Sequence, residues 1–261
     1  MTVKAYPEIS KRHGEVVCVA GVRTDEQPYQ WVRLWPIKDF RDLPVTQAFR
    51  KYQFIDLDAP TSRRDPRPES RAPNLDSIVN GDFLPSDRDW AARRPFVEPL
   101  IGESMCAIQR QHAVDGTSLG AFRPAAVHDV EITENDPWSQ EQRNALSQLS
   151  LLAADQAELE WVPYRFRYRY TCGDPDCNGH RQMIIDWEIK QAYRRWSRQY
   201  PRDWQARIRH KWLDEMCAAD RDTAFFVGNQ FGAPLAFLVL GVWWPPKRPA
   251  QQLELLQGNH D

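Results

Sequence analysis

Polar and apolar positions alternate most strictly over residues 164–170, which read YRFRYRY. Tyr164, Phe166, Tyr168 and Tyr170 fall on one side of an extended chain, and Arg165, Arg167 and Arg169 on the other. A period of two predicts a strand with one face on a core. Its rings can cover apolar surface, whereas its guanidiniums have to meet water, a carboxylate or a bound anion. Beyond this strand the period lengthens. Ile185, Ile189, Ala192, Tyr193 and Trp196 recur at helical spacing, with Lys190, Arg194 and Arg198 on another face. After the break at Pro201, Asp203 is placed as the cap of a second helix, whose Trp204, Ile208, Trp212 and Met216 lie four apart.

The same reading organises the rest of the chain. Residues 15–22 and 29–37 are two apolar runs around a turn, a predicted hairpin in which Arg33 is placed on an open side. Residues 52–57 read as a third strand. Residues 59–95 hold prolines at a density that blocks regular structure, so a long surface loop is expected there. Ile101, Met105 and Ile108 suggest a helix face, and residues 127–132 alternate as a strand that puts His128 on its Val/Ile side as a core histidine. Leu146, Leu149 and Leu152 have helical spacing, and residues 223–244 read strand, turn, strand. The fold class predicted is α+β. An antiparallel β-rich region spans 1–135 and includes the loop 59–95. A second region, 136–261, combines the basic strand, two amphipathic helices and a hairpin.

Composition narrows the class. With 42% hydrophobic residues, 11 Trp and 11 Phe in 261 residues, the chain can build a sizeable core. No run approaches the ~20 apolar residues of a membrane span, so no membrane partner is expected. Five cysteines without framework spacing, behind a start lacking an apolar signal region, set a cytoplasmic location as the expectation. The net charge of −2 is unevenly spread: residues 160–212 hold 12 Lys/Arg against 6 Asp/Glu, interleaved with 11 aromatics. Such a mixture suits an anionic partner, charge for phosphate and rings for bases.

Three residues carry the candidate chemistry. Cys172, Cys177 and His180 are spaced C-x4-C-x2-H, with turn formers on either side of the second cysteine. Two thiolates and an imidazole within nine residues suit tetrahedral Zn2+ in a structural role, the other readings being free thiols, a redox pair or an open catalytic metal site. The spacing resembles a zinc knuckle in altered order and lacks that motif's closing ligand. The fourth ligand is sought among Asp174, Asp176, His210 and Cys217, or elsewhere in the chain. A second pattern overlaps the first: Pro175-Asp176 followed by Glu188-Ile189-Lys190 resembles the PD-(D/E)xK family of nucleases. That resemblance implies Mg2+ held by Asp176 and Glu188, with Lys190 orienting the attacking water. It requires E-x-K on a strand, against the helical period of residues 185–196. Glycine-rich phosphate loops and the familiar hydrolase motifs are absent from the sequence.

Three functions follow as expectations. The first is a DNA- or RNA-binding protein with structural zinc, contacting phosphates through Arg165, Arg167, Arg169, Arg181, Lys190, Arg194 and Arg198. The second is a Mg2+-dependent nuclease using Asp176, Glu188 and Lys190. The third is an interaction subunit that docks a protein partner within a larger assembly.

Overall fold

The structure is a computed structural model that describes residues 1–6, 8–10, 14–38, 43–144 and 160–248. The helical leucines at 146, 149 and 152 lie outside the described residues. The first hundred residues supply β1 (Val3–Lys4), β2 (Glu8–Ser10), β3 (Gly14–Arg23), β4 (Gln30–Lys38), β5 (Gln53–Asp56), β6 (Ser70–Arg71) and β7 (Val79–Phe83). β3 and β4 form the expected hairpin, with Val19 opposite Leu34 and Gly21 opposite Val32. β1 and β2 pair with the other side of β3, and β6 joins β4 in parallel. β5 pairs instead with β7 in a separate two-stranded sheet. The proline-rich stretch 59–95 is therefore not all loop, since β6 and β7 both fall inside it. Val17, Val19, Leu34 and Ile37 close a small core with Phe49 and Ile78.

The second half contains β8 (Ile101–Gly102), α1 (Met105–Asp115), β9 (Leu119–Phe122), β10 (Pro124–Glu134), β11 (Tyr164–Cys172), β12 (His180–Met183), α2 (Trp187–Gln199), α3 (Trp204–Arg209), β13 (Ala224–Gln230) and β14 (Ala233–Trp243). β10, β11 and β12 form an antiparallel sheet, and β14, β13, β9 and β8 a second sheet. The two pack through the rings of β11: Phe166, Tyr168 and Tyr170 are fully buried. Tyr168 stacks on Phe225 of β13 with centroids 4.4 Å apart. Its hydroxyl, which burial would otherwise strand, donates to the Trp212 carbonyl at 2.7 Å. α2 starts at Asp186, whose side chain accepts from the Glu188 amide, and it buries Ile189. α3 buries Trp204 and Ile208 and continues into a π-helical turn (His210–Glu215) that buries Trp212. The fold is thus α+β, with a strand-rich first half and a second half of basic strand, two helices and terminal hairpin.

Three local expectations are corrected. His128 is exposed, because a bulge between Val127 and Asp129 turns it outward while Val127 and Val130 stay on the core. Arg33 is buried rather than on an open side; its terminal nitrogens donate to the Ser118 hydroxyl and carbonyl, both at 2.9 Å. Asp203 occupies the cap position of α3 without a capping hydrogen bond from its side chain.

A short segment after β12 ties the two halves together. The Ile184 amide donates to Phe166 of β11 and the Ile185 amide to Val239 of β14. The Ile185 carbonyl accepts from Tyr6, and Ala5 bridges to Asp186. At its end the Asp186 carboxylate accepts from Lys51 Nζ at 2.8 Å, an ion pair buried between the halves.

Candidate metal centre

β11 ends at Cys172, the chain turns through residues 173–179, and β12 returns with His180 opposite Tyr170. The turn is built for that return. Gly179 has φ +91°, a conformation that costs other residues roughly 1–2 kcal/mol. The Asp174 carbonyl accepts from the Cys177 amide at 3.1 Å, and the Asp174 side chain from the Asp176 amide at 3.1 Å. His180 is oriented by its ring, which stacks on Tyr170 at 5.0 Å and 24°. The Tyr170 hydroxyl in turn donates to Gln182 at 2.6 Å.

Cys172, Cys177 and His180 do converge, and a fourth donor joins them: Cys106. One ligand atom from each of the four lies within 4.8 Å of every other. Cys106 Sγ is 3.6 Å from Cys172 Sγ and 3.5 Å from His180 Nε2. A tetrahedron with metal–sulfur bonds of ~2.3 Å and a metal–nitrogen bond of ~2.0 Å has edges of roughly 3.5–3.8 Å. Two of the separations match such edges, and the group could hold a metal ion. Cys106 sits in the first turn of α1, which Ser104 caps by accepting from the Ala107 amide at 3.0 Å. Arg110, one turn further along, donates to Asp174 at 2.6 Å and so fastens α1 to the turn.

Burial and hydrogen bonding move two neighbouring thiols in opposite directions. Although burial alone would raise the Cys172 thiol, hydrogen bonds, including those from His180 and Cys177, bring it down to about 6. Burial pushes Cys106 up to about 12, reinforced by the neighbouring sulfur of Cys172. The amides of Cys172 and Gly179 both donate to Cys177 Sγ at 3.4 Å and hold the sulfur in place.

The other fourth-ligand candidates do not join the convergent group. Asp174 is held by Arg110, which keeps its carboxyl below the usual range. Asp176 offers its amide to Asp174. His210 faces Asp214 and Glu215, and Cys217 donates to the Trp212 carbonyl, with burial raising its thiol to about 12. Cys106 was legible only as a cysteine near the start of a predicted helix, the one thiol left without an assignment.

The nuclease triad is not assembled as the pattern requires. Glu188 and Lys190 lie in the first turn of α2 and not on a strand, while Asp176 lies in the turn after β11. Glu188 Oε1 contacts Lys51 at 3.2 Å, and Lys190 Nζ donates to the Tyr164 carbonyl at 3.0 Å. The basic face also finds protein partners. Arg165 donates to Asn135 and Asp136, Arg167 to Thr133, and Arg181 to Glu131. Arg194 and Arg198 share the Glu160 carboxylate at 2.8 and 2.7 Å. Arg169 is exposed, and Asp129 lies opposite it on β10.

No helix among the described residues is long and apolar enough to cross a membrane. Neither a curated protein nor a solved structure matches the sequence. Residues 1–99 match the family described as Domain of unknown function (DUF8758). Residues 101–258, the portion that carries all four convergent donors, match the one described as Domain of unknown function (DUF8757), and the chain belongs to that family.

Proposed function

We propose that Cys106, Cys172, Cys177 and His180 bind one Zn2+ ion in a structural role, and that this ion pins helix α1 to the β11–β12 hairpin. The observation that carries the reading is the convergence of three sulfurs and one imidazole nitrogen with edges of 3.5 and 3.6 Å where they are closest. Soft thiolates with one imidazole select zinc over Mg2+ or Ca2+, which prefer oxygen. Four protein donors complete a tetrahedron and leave no open position for water, the arrangement of structural rather than catalytic sites. When bound, the ion neutralises thiolate charge that the fold otherwise crowds together. The chain's own groups do the rest: Tyr170 orients the imidazole, two amides support Cys177, and Arg110 with Asp174 sets the distance between helix and turn.

On this reading the chain is a metal-stabilised protein. Elemental analysis of protein purified under reducing conditions tests it, with Co2+ substitution as the geometric control. One zinc per chain, and the visible absorption of tetrahedral cobalt after exchange, are expected. Metal-free protein with an unchanged melting temperature after chelator treatment defeats the proposal.

A further inference from the structure

A cavity of about 410 Å³ opens where the two halves meet. Arg50, Lys51 and Arg93 from the first half line it together with Glu188 and Trp244 from the second, and Trp90 lies on its wall. Lys51 is committed to Asp186 and Glu188. Among the described residues no carboxylate pairs with Arg93, although it is only 6% exposed. Its Nε donates to the Leu84 carbonyl at 2.8 Å, and its guanidinium lies over the rings of Tyr52 and Trp90 at 4.0 and 4.7 Å. Three contacts thus fix the plane of the guanidinium and leave both terminal amino groups without a protein acceptor. Neither amino group is sealed from solvent, in contrast to the enclosed Nε of Arg33. Arg93 also approaches the Phe83 ring at 5.7 Å, and Arg50 stands 5.9 Å from that ring with no carboxylate partner among the described residues.

Two further features mark the place. Tyr52, Arg88, Asp89 and Trp90 are the described non-glycine residues with positive φ, between 46° and 62°. Tyr52 and Trp90 both line the cavity, with rings 5.7 Å apart. Backbone held in this region costs on the order of 1 kcal/mol per residue and collects where side chains must be aimed. The cavity also has the volume of a small-molecule site and combines partly exposed rings with a group of charged side chains, Lys211 among them.

We infer that this junction cavity binds a phosphomonoester carrying a planar heteroaromatic ring, that is, a nucleotide. Arg93 and Arg50 take the phosphate, since a pre-oriented guanidinium fork matches phosphate oxygens in pairs. Trp90 or Trp244 supplies a flat face for the ring. Glu188, half exposed, accepts from a hydroxyl or amino group. The inference does not rest on the zinc reading, because none of its residues touches the cysteine cluster.

The test is calorimetric titration of the full metal-replete chain with AMP, UMP, adenosine and inorganic phosphate, and with a 5′-phosphorylated oligonucleotide. At least one nucleotide probe, free or at the end of a strand, binds one-to-one. Adenosine and phosphate alone bind at least about tenfold more weakly, because each makes only part of the contacts. Arg93→Lys keeps the charge but loses the fork, and weakens the best probe by about tenfold or more. Arg50→Ala, at an exposed position where folding is not at stake, weakens it severalfold. Preference for the oligonucleotide identifies a strand end as the source, and preference for the monophosphate a free nucleotide. Absence of nucleotide binding at millimolar concentration overturns the inference. So does binding that neither Arg93→Lys nor Arg50→Ala alters while circular dichroism shows both variants folded.

Discussion

At the end of β11, three sulfurs and an imidazole face one another; between the halves, two guanidiniums face a cavity with no carboxylate paired to them. The first place gathers thiols that become negative on losing protons, beside one imidazole, and it is partly buried. The second gathers fixed positive charge, and it is open. The basic strand β11 is also rich in arginine, yet Arg165 is matched by Asn135 and Asp136 and Arg167 by Thr133, while Arg169 is exposed. The difference teaches that arginine content is a poor guide to ligand binding. What matters is which charges remain after the fold has matched its own.

The largest effect that can break this comparison is loss of a metal ligand. Cys106→Ser or Cys172→Ser is expected to abolish zinc binding and to lower the melting temperature of the whole chain by more than about 10 °C, because the binding free energy of a structural site is folding free energy. Calorimetric melting of both variants checks this. Cys217→Ser is the control, with its zinc content unchanged.

The next effect lies at the junction. Burial raises the Asp186 carboxyl to about 6 despite the ion pair with Lys51. A native carboxyl above its ordinary 3.8 binds its proton more readily than the unfolded chain does. Its contribution to stability therefore falls as pH rises from about 4 to about 6, by a few kcal/mol. Subtracting the stability curve of Asp186→Asn from that of the wild type should expose this slope and cancel any contribution from the metal site; a difference flat between pH 4 and 6 refutes it. Asp186→Ala goes further, leaving Lys51 buried and α2 uncapped, and should cost about 3–5 kcal/mol in denaturant unfolding.

Smaller effects sharpen the picture. Gly179→Ala meets no atom closer than 3.8 Å but imposes a strained backbone, so a loss of about 1–2 kcal/mol is expected with zinc retained. Glu160→Gln unpairs Arg194 and Arg198 and should change stability by less than about 1 kcal/mol, since both pairs are partly exposed. The same variant interrogates the basic face. If that face contacts DNA or RNA, freeing two guanidiniums tightens binding and steepens its salt dependence by about 0.7–0.9 log units per added contact. A filter-binding series in salt that shows neither change removes nucleic acid from that surface.

Much of this was written in the sequence, and the gaps have physical causes. The aromatic and arginine alternation of β11 was legible because burial on one side imposes a period of two, and the terminal hairpin because its strands are nearly all apolar. Three of the four convergent donors were legible because they share a turn of nine residues. Cys106 was not, since its approach depends on how α1 packs across β11, sixty-six residues away. The strand 127–132 was read with its acids on one face, yet their position opposite the arginines of β11 is a matter of register. Asp129 faces Arg169 and Glu131 faces Arg167. Register between strands separated by a long connection leaves no local mark. The bulge at His128 was hidden for a similar reason, because one extra residue reverses an alternation that otherwise looks regular.

The stretch from His180 to Asp186 has no slack. At one end it supplies the imidazole of the cluster; at the other its carboxylate receives Lys51 from the opposite half; and every amide from 184 to 185 is spent on a different sheet. Evolution can lengthen the knuckle before it or the helix after it, but a single inserted residue here would rotate the anchor for the first half away from its cation. The distance between cluster and cavity is therefore a fixed ruler, and homologous chains should vary in length everywhere around this span before they vary within it.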